Sequence, residues 1–486
     1  MLIRNTNNLL LFFLLSCLSA LGCKKNSTDT GSTPLPTLPP IVNPLGPQVD
    51  YWITTSDKNS LIAQQQSLSF DSIPNSYANI SVDSTQLFQT IDGFGYTLTQ
   101  ASAIVMNQMD PTAKNNLLTE LFGNNQNSIG ISYLRIAIGA SDLSSSVYSY
   151  DDVPAGTTDV SLSHFTLGND LNEMVPLLQK ILSINPSIKI LATPWSAPVW
   201  MKDNNSSIGG SLSATYYNVY ANYFVKYIQA MKAQGISIDA ITPQNEPLNA
   251  QNNPSMIMSA SQQADFIKNN LGPAFAASNI KTKIIVYDHN LDVLSYPIDI
   301  LQDAAANLFV DGSAFHLYGG FISGMTTVHN AFPQKNVYFT EQWTSSGGNF
   351  GNDLIWHVKN VVIGSMQNWS KIALDWNLAN DPSFGPHTNG GCNTCMGALT
   401  IDGNIVVRNV AYYIIAHASK FVPAGSVRIA SNSIGNLQTV AFLRPDHKKV
   451  LLIVNDESSA QVFNIKFNHK WITATLQKGT VASFVW

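Results

Sequence analysis

The stretch Asn336-Val-Tyr-Phe-Thr-Glu-Gln-Trp343 carries the pattern on which the interpretation of this sequence depends. Val337 to Thr340 suit a short buried strand, and the strand then runs directly into a carboxylate, Glu341. A charged side chain is costly inside a strand that is buried on both faces. Glu341 is therefore expected at the end of a strand, beside other polar groups.

Eight stretches between residues 88 and 410 have the character of short buried strands, and helix-compatible segments separate them. The candidate strands are Thr90–Tyr96, Tyr133–Gly139, Ile188–Trp195, Ala240–Asn245, Ile284–Tyr287, Gly312–Tyr318, Asn336–Thr340 and Lys371–Asn377. One intervening segment, Tyr216–Gln234, has apolar residues at helical spacing and is followed by Gly235. Eight strands alternating with helices predict an α/β fold, a (β/α)8 or TIM barrel. A doubly wound sheet is the alternative, but no glycine-rich phosphate loop follows any of the strands.

The last part of the chain has a different pattern. Residues 411–486 contain strand-like runs with turn residues between them: 438–443, 449–454, 461–466 and 480–486. Residues 50–87 contain further short strands. We predict that the two segments together form a discontinuous β-sandwich beside a catalytic barrel of residues 88–410.

The N-terminal residues are typical of an export signal. Arg4 provides a basic start and Leu9 to Leu21 is almost continuously apolar, so residues 1–22 are predicted to be a signal peptide. The stretch Leu18-Ser-Ala-Leu-Gly-Cys23 is similar to a bacterial lipobox. We therefore expect a lipoprotein anchored at the cell envelope or surface through Cys23; simple secretion and an uncleaved anchor are the alternatives. Residues 23–49, rich in Ser, Thr, Asn and Pro, are predicted to be a disordered tether.

Composition favours a neutral partner. Only 12% of the residues are charged, the net charge is −5, and no long run of like charges suggests nucleic acid or a membrane surface. One C-x-x-C pair, Cys392 and Cys395, cannot complete a four-ligand zinc site, and a structural disulfide in an oxidising compartment is expected there. The nine histidines do not cluster and no H-E-x-x-H motif occurs, so no metal and no cofactor are predicted. The oligomeric state stays open.

Polar and aromatic side chains recur where the predicted strands end. They are Arg135 with the later Asp142, then Trp195, Asn245 with Glu246, His316 with Tyr318, Glu341, and Trp376. Functional residues of such a barrel lie at the carboxyl ends of its strands. We therefore expect these side chains to surround one site.

Two carboxylates at opposite sides of a barrel can catalyse glycoside hydrolysis. One carboxyl protonates the leaving oxygen, and the other attacks the anomeric carbon or activates water. Glu341 would be the ionised nucleophile, with Tyr318 and His316 as hydrogen-bond donors. Glu246 would be the acid and base, with a raised pKa. Asn245 beside it could bind the 2-hydroxyl of the sugar.

At these residues the sequence resembles glycoside hydrolase family 30, in the clan of retaining (β/α)8 glycosidases. The resemblance runs from about residue 88 to the C-terminus. Its motifs are Ile91-Asp-Gly-Phe-Gly95 with Thr99 and Ser102, Arg135-Ile-Ala-Ile-Gly139, Asp142-Leu-Ser144, Thr193-Pro-Trp-Ser-Ala-Pro-Val-Trp-Met-Lys202, Gln244-Asn-Glu-Pro247, Phe315-His-Leu-Tyr318, Thr340-Glu341, Asp375-Trp-Asn-Leu378 and Ser419-Lys-Phe421. Each motif is short; together and in this order they are specific.

The resemblance implies a role for each matching residue. Glu246 is the acid/base and Glu341 the nucleophile. The residues that match the glucosyl-binding subsite of the family are Asp142, Trp195, Asn245 and Trp376. His316 and Tyr318 match neighbours of the nucleophile, which we also assign to substrate binding, and Arg135 is expected to support the site from beneath. The family also has a side β-sandwich built from both ends of the chain.

The family includes β-1,6-glucanases, glucosylceramidases, β-xylosidases and xylanases. The C-x-x-C segment resembles the microbial β-1,6-glucanase branch, whereas the lysosomal glucosylceramidases have a GGP-like segment where this chain has Phe384-Gly-Pro386. We therefore expect an exported retaining β-1,6-glucanase, with a glucosylceramidase or a xylan-active enzyme as the alternatives. A non-catalytic glycan-binding lipoprotein is the alternative from another class, but it predicts that one of the two carboxylates is lost.

Overall fold

A computed structural model describes residues 48–486 of the chain. The predicted signal peptide of residues 1–22, the lipidation site Cys23 and nearly all of the predicted tether of residues 23–49 lie outside the described residues. No helix within residues 48–486 has the length and apolar character needed to cross a bilayer.

Eight parallel strands close into a barrel, which confirms the predicted fold class. The strands, numbered β1 to β8 in chain order, are Gly93–Thr97, Tyr133–Ala137, Lys189–Thr193, Ala240–Ile241, Lys283–Leu291, Val310–Gly320, Asn336–Glu341 and Ser370–Asp375. Each pairs with the next, and β8 pairs with β1, with Ile372 opposite Gly93. All eight correspond to the strands expected from the sequence.

Side chains from all strands except β1 fill the interior of the barrel. The buried cluster contains Tyr133, Leu191, Ala240, Ile285, Ala314, Tyr338, Ile372 and Leu374. Because this cluster occupies the interior, the barrel is a packed core, and a site can open only at an end of the strands.

Helices cover the outside of the barrel. The α-helices are Gln100–Asn107, Pro111–Phe122, Met174–Ile184, Tyr217–Ala233, Ala260–Phe266, Gly272–Ala277, Ser295–Gln302, Ala304–Asn307, Gly324–Ala331, Phe350–His357, Ser365–Gln367 and Val410–Ser419. Single turns of 3₁₀ helix occur at Gly168–Leu171, Val199–Met201 and Ala214–Tyr216, and π-helical turns at Ile267–Leu271 and Val358–Gly364.

The helix Tyr217–Ala233 shows how the local sequence determines where a helix forms and where it ends. Its buried face carries Tyr220, Phe224 and Tyr227 at the predicted spacing. The chain then leaves the helix through Gly235, whose φ of +78° favours glycine.

Strands from both ends of the chain form the second domain, as predicted. They are Gln48–Thr55, Ala63–Gln64, Leu68–Ser69, Asn79–Thr90, Val427–Ser431, Leu437–Leu443, Lys449–Asn455, Gln461–Phe467, Lys470–Leu476 and Thr480–Val485. Gln48–Thr55 pairs with the last strand, with Tyr51 opposite Phe484 and the two rings stacked at 4.9 Å. This long-range pairing makes the sandwich discontinuous. The exact domain boundaries stay predictions.

Short strands complete the face of the barrel at which β1 to β8 end. Thr344–Ser345 pairs with Cys395–Met396, and Ala379–Asn380, Leu399–Asp402 and Ile405–Arg408 form a three-stranded sheet. These strands tie the segments after β7 and β8 together, next to the predicted site.

Candidate active site

A cavity of about 470 Å³ opens at the carboxyl ends of the barrel strands. Its lining residues are Asp142, Trp195, Glu246, Leu248, Asn249, Asn252, His289, Asn290, Tyr318, Glu341, Trp343, Trp376, Cys392 and Cys395. Both predicted catalytic glutamates are among them, with four of the six predicted substrate-binding residues. The other two, Asn245 and His316, are buried and are not among the lining residues.

Glu341 is the last residue of β7 and is 6% exposed. The Arg135 guanidinium donates to its Oε2 at 2.5 Å, and the Tyr318 hydroxyl donates to its Oε1 at 3.0 Å. Arg135 is fully buried, is not among the residues that line the cavity, and lies over the Trp195 ring at 4.9 Å from its centroid. Glu341 is thus held from two sides by donors that favour its ionised form.

Glu246 lies in the turn that follows β4, with a φ of +44°. This left-handed conformation is unfavourable for a residue with a side chain, and the surrounding contacts must maintain it. The Glu246 N–H donates to the carbonyl oxygen of Asp288 at 3.0 Å, and its own carbonyl accepts from the Asn249 N–H at 2.8 Å. Its Oε2 accepts from the Asn249 amide at 2.7 Å. The turn fixes the direction in which the carboxylate points.

The two carboxylates face each other across the cavity. One oxygen of Glu246, one oxygen of Glu341 and a ring nitrogen of His316 lie within 4.8 Å of one another. Retaining glycosidases have their carboxyl groups about 5–5.5 Å apart, whereas inverting enzymes need about 6.5–9.5 Å to admit a water. The separation is therefore of the retaining kind.

Asp288 is a central residue of the site that the sequence reasoning missed. It lies at a bulge in β5, where Tyr287 pairs with Ala314 and His289 with Phe315, leaving Asp288 unpaired with a φ of +63°. The strand predicted from the sequence ends at Tyr287, one residue before Asp288. The sequence nevertheless contains the pattern that marks the other predicted site residues, since the polar residues Asp288, His289 and Asn290 directly follow an apolar strand.

Asp288 is fully buried and joins the other charged groups. Its Oδ2 accepts from Arg135 at 3.0 Å, and its Oδ1 lies 3.1 Å from His316 Nε2 and accepts from the Thr340 hydroxyl at 2.6 Å. The other ring nitrogen of His316, Nδ1, is 3.3 Å from Glu246 Oε1 and 3.8 Å from Glu341 Oε1. His316 was expected to bind substrate. Because its ring is fully buried behind the glutamates, it can act on substrate only through them.

The pKa of Glu246 is shifted in the direction opposite to the one expected from the sequence. Although burial opposes protonation, Glu341, Asp288 and Glu246 raise the pKa of His316 to about 9, so both ring nitrogens donate near neutral pH. Burial disfavours the Glu246 carboxylate too, but the His316 imidazolium outweighs it and lowers the Glu246 pKa to about 2. Burial raises the pKa of Glu341, with His316 and Arg135 opposing the rise. The proton expected on Glu246 is therefore carried by its hydrogen-bond partner His316.

Asp142, Trp195 and Trp376 form one wall of the cavity. The two indole rings have their centroids 5.4 Å apart and pack with Cys395 and Leu143. Burial, together with Glu341 and Glu246, raises the pKa of Asp142 to about 7. Asn245 lies deeper, and its Oδ1 accepts from Arg135 at 2.6 Å. An aromatic wall beside hydrogen-bonding carboxylates suits a sugar ring, which has apolar faces and hydroxyl edges.

Glu246, His316 and Glu341 are close enough to one another to bind a cation together. Within the described residues, however, the positive charges of Arg135 and His316 already pair with these carboxylates. The donor set fits an acid–base pair better than a metal centre.

Further residues that line the cavity were not predicted from the sequence. His289 follows the missed bulge, Asn249 and Asn252 lie in the loop after Glu246, and Trp343 follows Glu341 by two residues. Loop residues have no periodicity that marks them. Only proximity to Glu246 and Glu341 along the chain could have pointed to Asn249 and Trp343.

A (β/α)8 barrel with two facing carboxylates in a cavity of this kind defines a glycoside hydrolase. The chain belongs to glycosyl hydrolase family 30. The description "Glycosyl hydrolase family 30 TIM-barrel domain" matches residues 91–422, and "Glycosyl hydrolase family 30 beta sandwich domain" matches residues 425–484.

Individual relatives agree with this assignment. An endo-1,6-beta-D-glucanase of Aspergillus fumigatus is 36% identical, over 80% of this chain and 82% of that protein. The lysosomal acid glucosylceramidase of Mus musculus is 28% identical, over 82% of this chain and 81% of that protein. The solved structure of the endo-beta1,6-glucanase BT3312 superposes with a TM-score of 0.84 at 35% identity, covering 90% of this chain and 99% of that one.

The raised pKa of Asp142 predicts a pH-dependent stability effect. Because the folded-state pKa is about 7 and the ordinary value is 3.8, this group destabilises the folded state increasingly as pH rises from about 4 to 7. Asp142→Asn removes that penalty. We expect the variant to exceed the wild type in free energy of unfolding by roughly 1–3 kcal/mol at pH 8, with the difference vanishing near pH 4.

Urea unfolding at the two pH values measures the difference. Asp402→Asn, the same change at an exposed position, serves as the matched control and should not raise the free energy of unfolding. An Asp142→Asn variant that is equally or less stable than the wild type at pH 8 would contradict the predicted penalty.

Proposed function

We propose that the protein hydrolyses β-1,6-linked glucan with retention of anomeric configuration. The observation that carries the mechanism is the approach of the Glu246 and Glu341 carboxylate oxygens to within 4.8 Å. The substrate rests on the 35–36% identity to proteins named endo-1,6-beta-glucanases, against 28% to the mouse glucosylceramidase.

In the first half of the reaction, Glu341 attacks the anomeric carbon. Arg135 and Tyr318 hold its two oxygens so that one remains directed at the cavity. Glu246 protonates the glycosidic oxygen, and a glycosyl-enzyme ester forms on Glu341 as the C–O bond to the leaving sugar breaks.

The proton that Glu246 needs comes from His316. A bound sugar excludes water from Glu246, and loss of hydration raises the pKa of a carboxylate. His316 Nδ1 lies 3.3 Å from Glu246 Oε1, so the proton can pass directly between them as the site is desolvated. Asp288, on the opposite side of the imidazole, keeps the ring oriented during the transfer.

In the second half, Glu246 is the base. It takes a proton from a water that attacks the anomeric carbon from the face that the leaving group vacated. Glu341 is released as a carboxylate. Two inversions at the same carbon give net retention.

Substitution of each glutamate separates the two roles. Glu341→Gln should abolish turnover of every substrate, about 10⁴-fold or more, because the amide cannot form the ester. Glu246→Gln should also lose glucan hydrolysis. It should still form the glycosyl-enzyme from a substrate with an activated leaving group, such as 2,4-dinitrophenyl β-gentiobioside, since that leaving group needs no acid.

Added azide should accelerate Glu246→Gln and release a β-glycosyl azide, since azide needs no base. Glu457→Gln, the same change in the sandwich, is the control that should keep normal activity. If azide rescues Glu341→Gln instead and gives a β-configured product, the roles of the two glutamates are reversed. Normal turnover by Glu341→Gln would refute Glu341 as the nucleophile.

A substrate panel tests the proposed specificity. The protein should be incubated with β-1,6-glucan, β-1,3-glucan, xylan and glucosylceramide, and the anomeric protons of the products followed by NMR. We expect cleavage of β-1,6-glucan, with the β-anomer appearing first and mutarotating later. Cleavage of glucosylceramide alone would favour the glucosylceramidase alternative, and an α-anomer as first product would refute retention.

We further propose that the protein is exported and anchored through a lipid on Cys23. The signal-like residues 1–22 and the lipobox-like stretch support this, and so does a disulfide, Cys392–Cys395, which is favoured in oxidising compartments. Cys23→Ser should move the protein from the membrane fraction of the expressing bacterium to a soluble fraction. An unchanged membrane fraction would contradict lipid anchoring.

A further inference from the structure

The Cys392–Cys395 disulfide is part of the wall of the active-site cavity. Both cysteines line the cavity, and Cys395 packs against Trp195 and Trp376. The residues between them, Asn393 and Thr394, are exposed and contribute nothing to the cavity. The bond therefore closes a four-residue ring, of which only the two sulfur-bearing residues face the sugar site.

The chain on the N-terminal side of the ring is attached to Asp142. The Thr388 N–H donates to the Asp142 carbonyl oxygen at 2.9 Å, and the Gly391 N–H donates to the Thr388 carbonyl at 2.9 Å. A Cβ added at Gly391 would collide with the same Asp142 carbonyl oxygen, so glycine permits this close approach. The Cys392 backbone also lowers the pKa of the Asp142 carboxyl and so partly offsets the effect of burial, which raises it.

The chain on the C-terminal side of the ring is attached to the segments after β7 and β8. Cys395 pairs with Ser345, and its carbonyl oxygen accepts from the Asn380 amide at 2.6 Å. Ser345 follows Glu341 by four residues, and Asn380 follows Trp376 by four. The disulfide thus joins the segment that is bound to Asp142 to the segments that follow Glu341 and Trp376.

Without the disulfide, the Cys392 side chain would keep only its partial packing against the cluster of Trp195 and Trp376. Gly390 has a φ of +82° with no atom close to where its Cβ would be, and the next two residues after Cys392 are exposed. A segment with so few contacts gains conformational freedom when a cross-link is removed. Movement of this segment would first displace Asp142, whose carboxylate faces the cavity.

We propose that the Cys392–Cys395 disulfide is a positioning element of the sugar pocket, which holds the Asp142 carboxylate in its place beside the indole rings of Trp195 and Trp376. This rests on the proposed function, since it assigns the pocket of Glu246 and Glu341 to a glucosyl unit. Loss of the bond impairs sugar binding and turnover while the barrel and the sandwich stay folded. The cysteines do not take part in the chemical steps.

The test compares the wild type, the double variant Cys392→Ala/Cys395→Ala and the control Asn393→Ala, which alters the same ring and keeps the bond. For each, kcat and KM on β-1,6-glucan oligosaccharides are measured, with the inhibition constant of free glucose and the melting temperature. We expect the double variant to lose about 10- to 100-fold in kcat/KM, since small displacements in an active site have effects of this size. The glucose inhibition constant should rise, and Asn393→Ala should match the wild type.

The pH profile provides a readout that a purely structural bond would not change. With the Cys392 backbone displaced, we expect the pKa of Asp142, which is about 7 in the intact enzyme, to rise further, because burial is then less opposed. Treatment of the wild type with dithiothreitol should reproduce the loss once mass spectrometry shows two free thiols. Reoxidation should restore activity, which keeps the test valid if the double variant does not fold.

The outcomes distinguish this inference from the proposed function. If the wild type does not cleave β-1,6-glucan, the proposed substrate is wrong, and the comparison is repeated on the glycoside that it cleaves. If the wild type is active and the reduced enzyme keeps its kcat, KM and glucose inhibition constant, the positioning role is refuted. A loss of activity that only follows a collapse in melting temperature would refute it too, because the bond would then serve the fold.

Discussion

The buried ion pair between Arg135 and Asp288 is the interaction on which the active site depends. Both side chains are fully buried and their charged atoms are 3.0 Å apart. Charges so far from water are tolerated only when they are paired and hydrogen-bonded. Asp288 therefore compensates the buried charge of Arg135. The other hydrogen-bonding atoms of the two side chains contact the groups around them.

These further contacts position the two facing carboxylates, Glu246 and Glu341. Arg135 extends from Asp288 to Glu341 and Asn245, and Asp288 orients His316 against Glu246. Within the described residues, two positive groups, Arg135 and His316, thus face three carboxylates in one buried cluster. Breaking the central pair would leave an uncompensated buried charge and release both glutamates. The same ion pair therefore stabilises the core and holds the two glutamates in their positions.

Much of this could be read from the sequence. The eight strands, the helix Tyr217–Ala233 and the two-part sandwich follow from the spacing of apolar residues, which reflects burial directly. Glu246 and Glu341 were recognisable because each follows an apolar strand with a charge that a core does not accept unpaired, and Tyr318 and the tryptophans because they stand at the same strand ends. Asp288 follows the predicted strand as the other site residues follow theirs, but only the structure shows the β-bulge that places its carboxylate beside Arg135 and His316.

The fold, and the prediction of Glu246 and Glu341 as a pair, follow from the sequence, because both depend on which residues are buried, and burial leaves a periodic pattern in the chain. The separation of the two carboxylates and the shifts in their pKa values follow from the tertiary structure alone. The pKa of Glu246 depends on an imidazole 70 residues away in the chain and 3.3 Å away in space. Such distances arise when the barrel closes, and Glu341 acquires its neighbours only then.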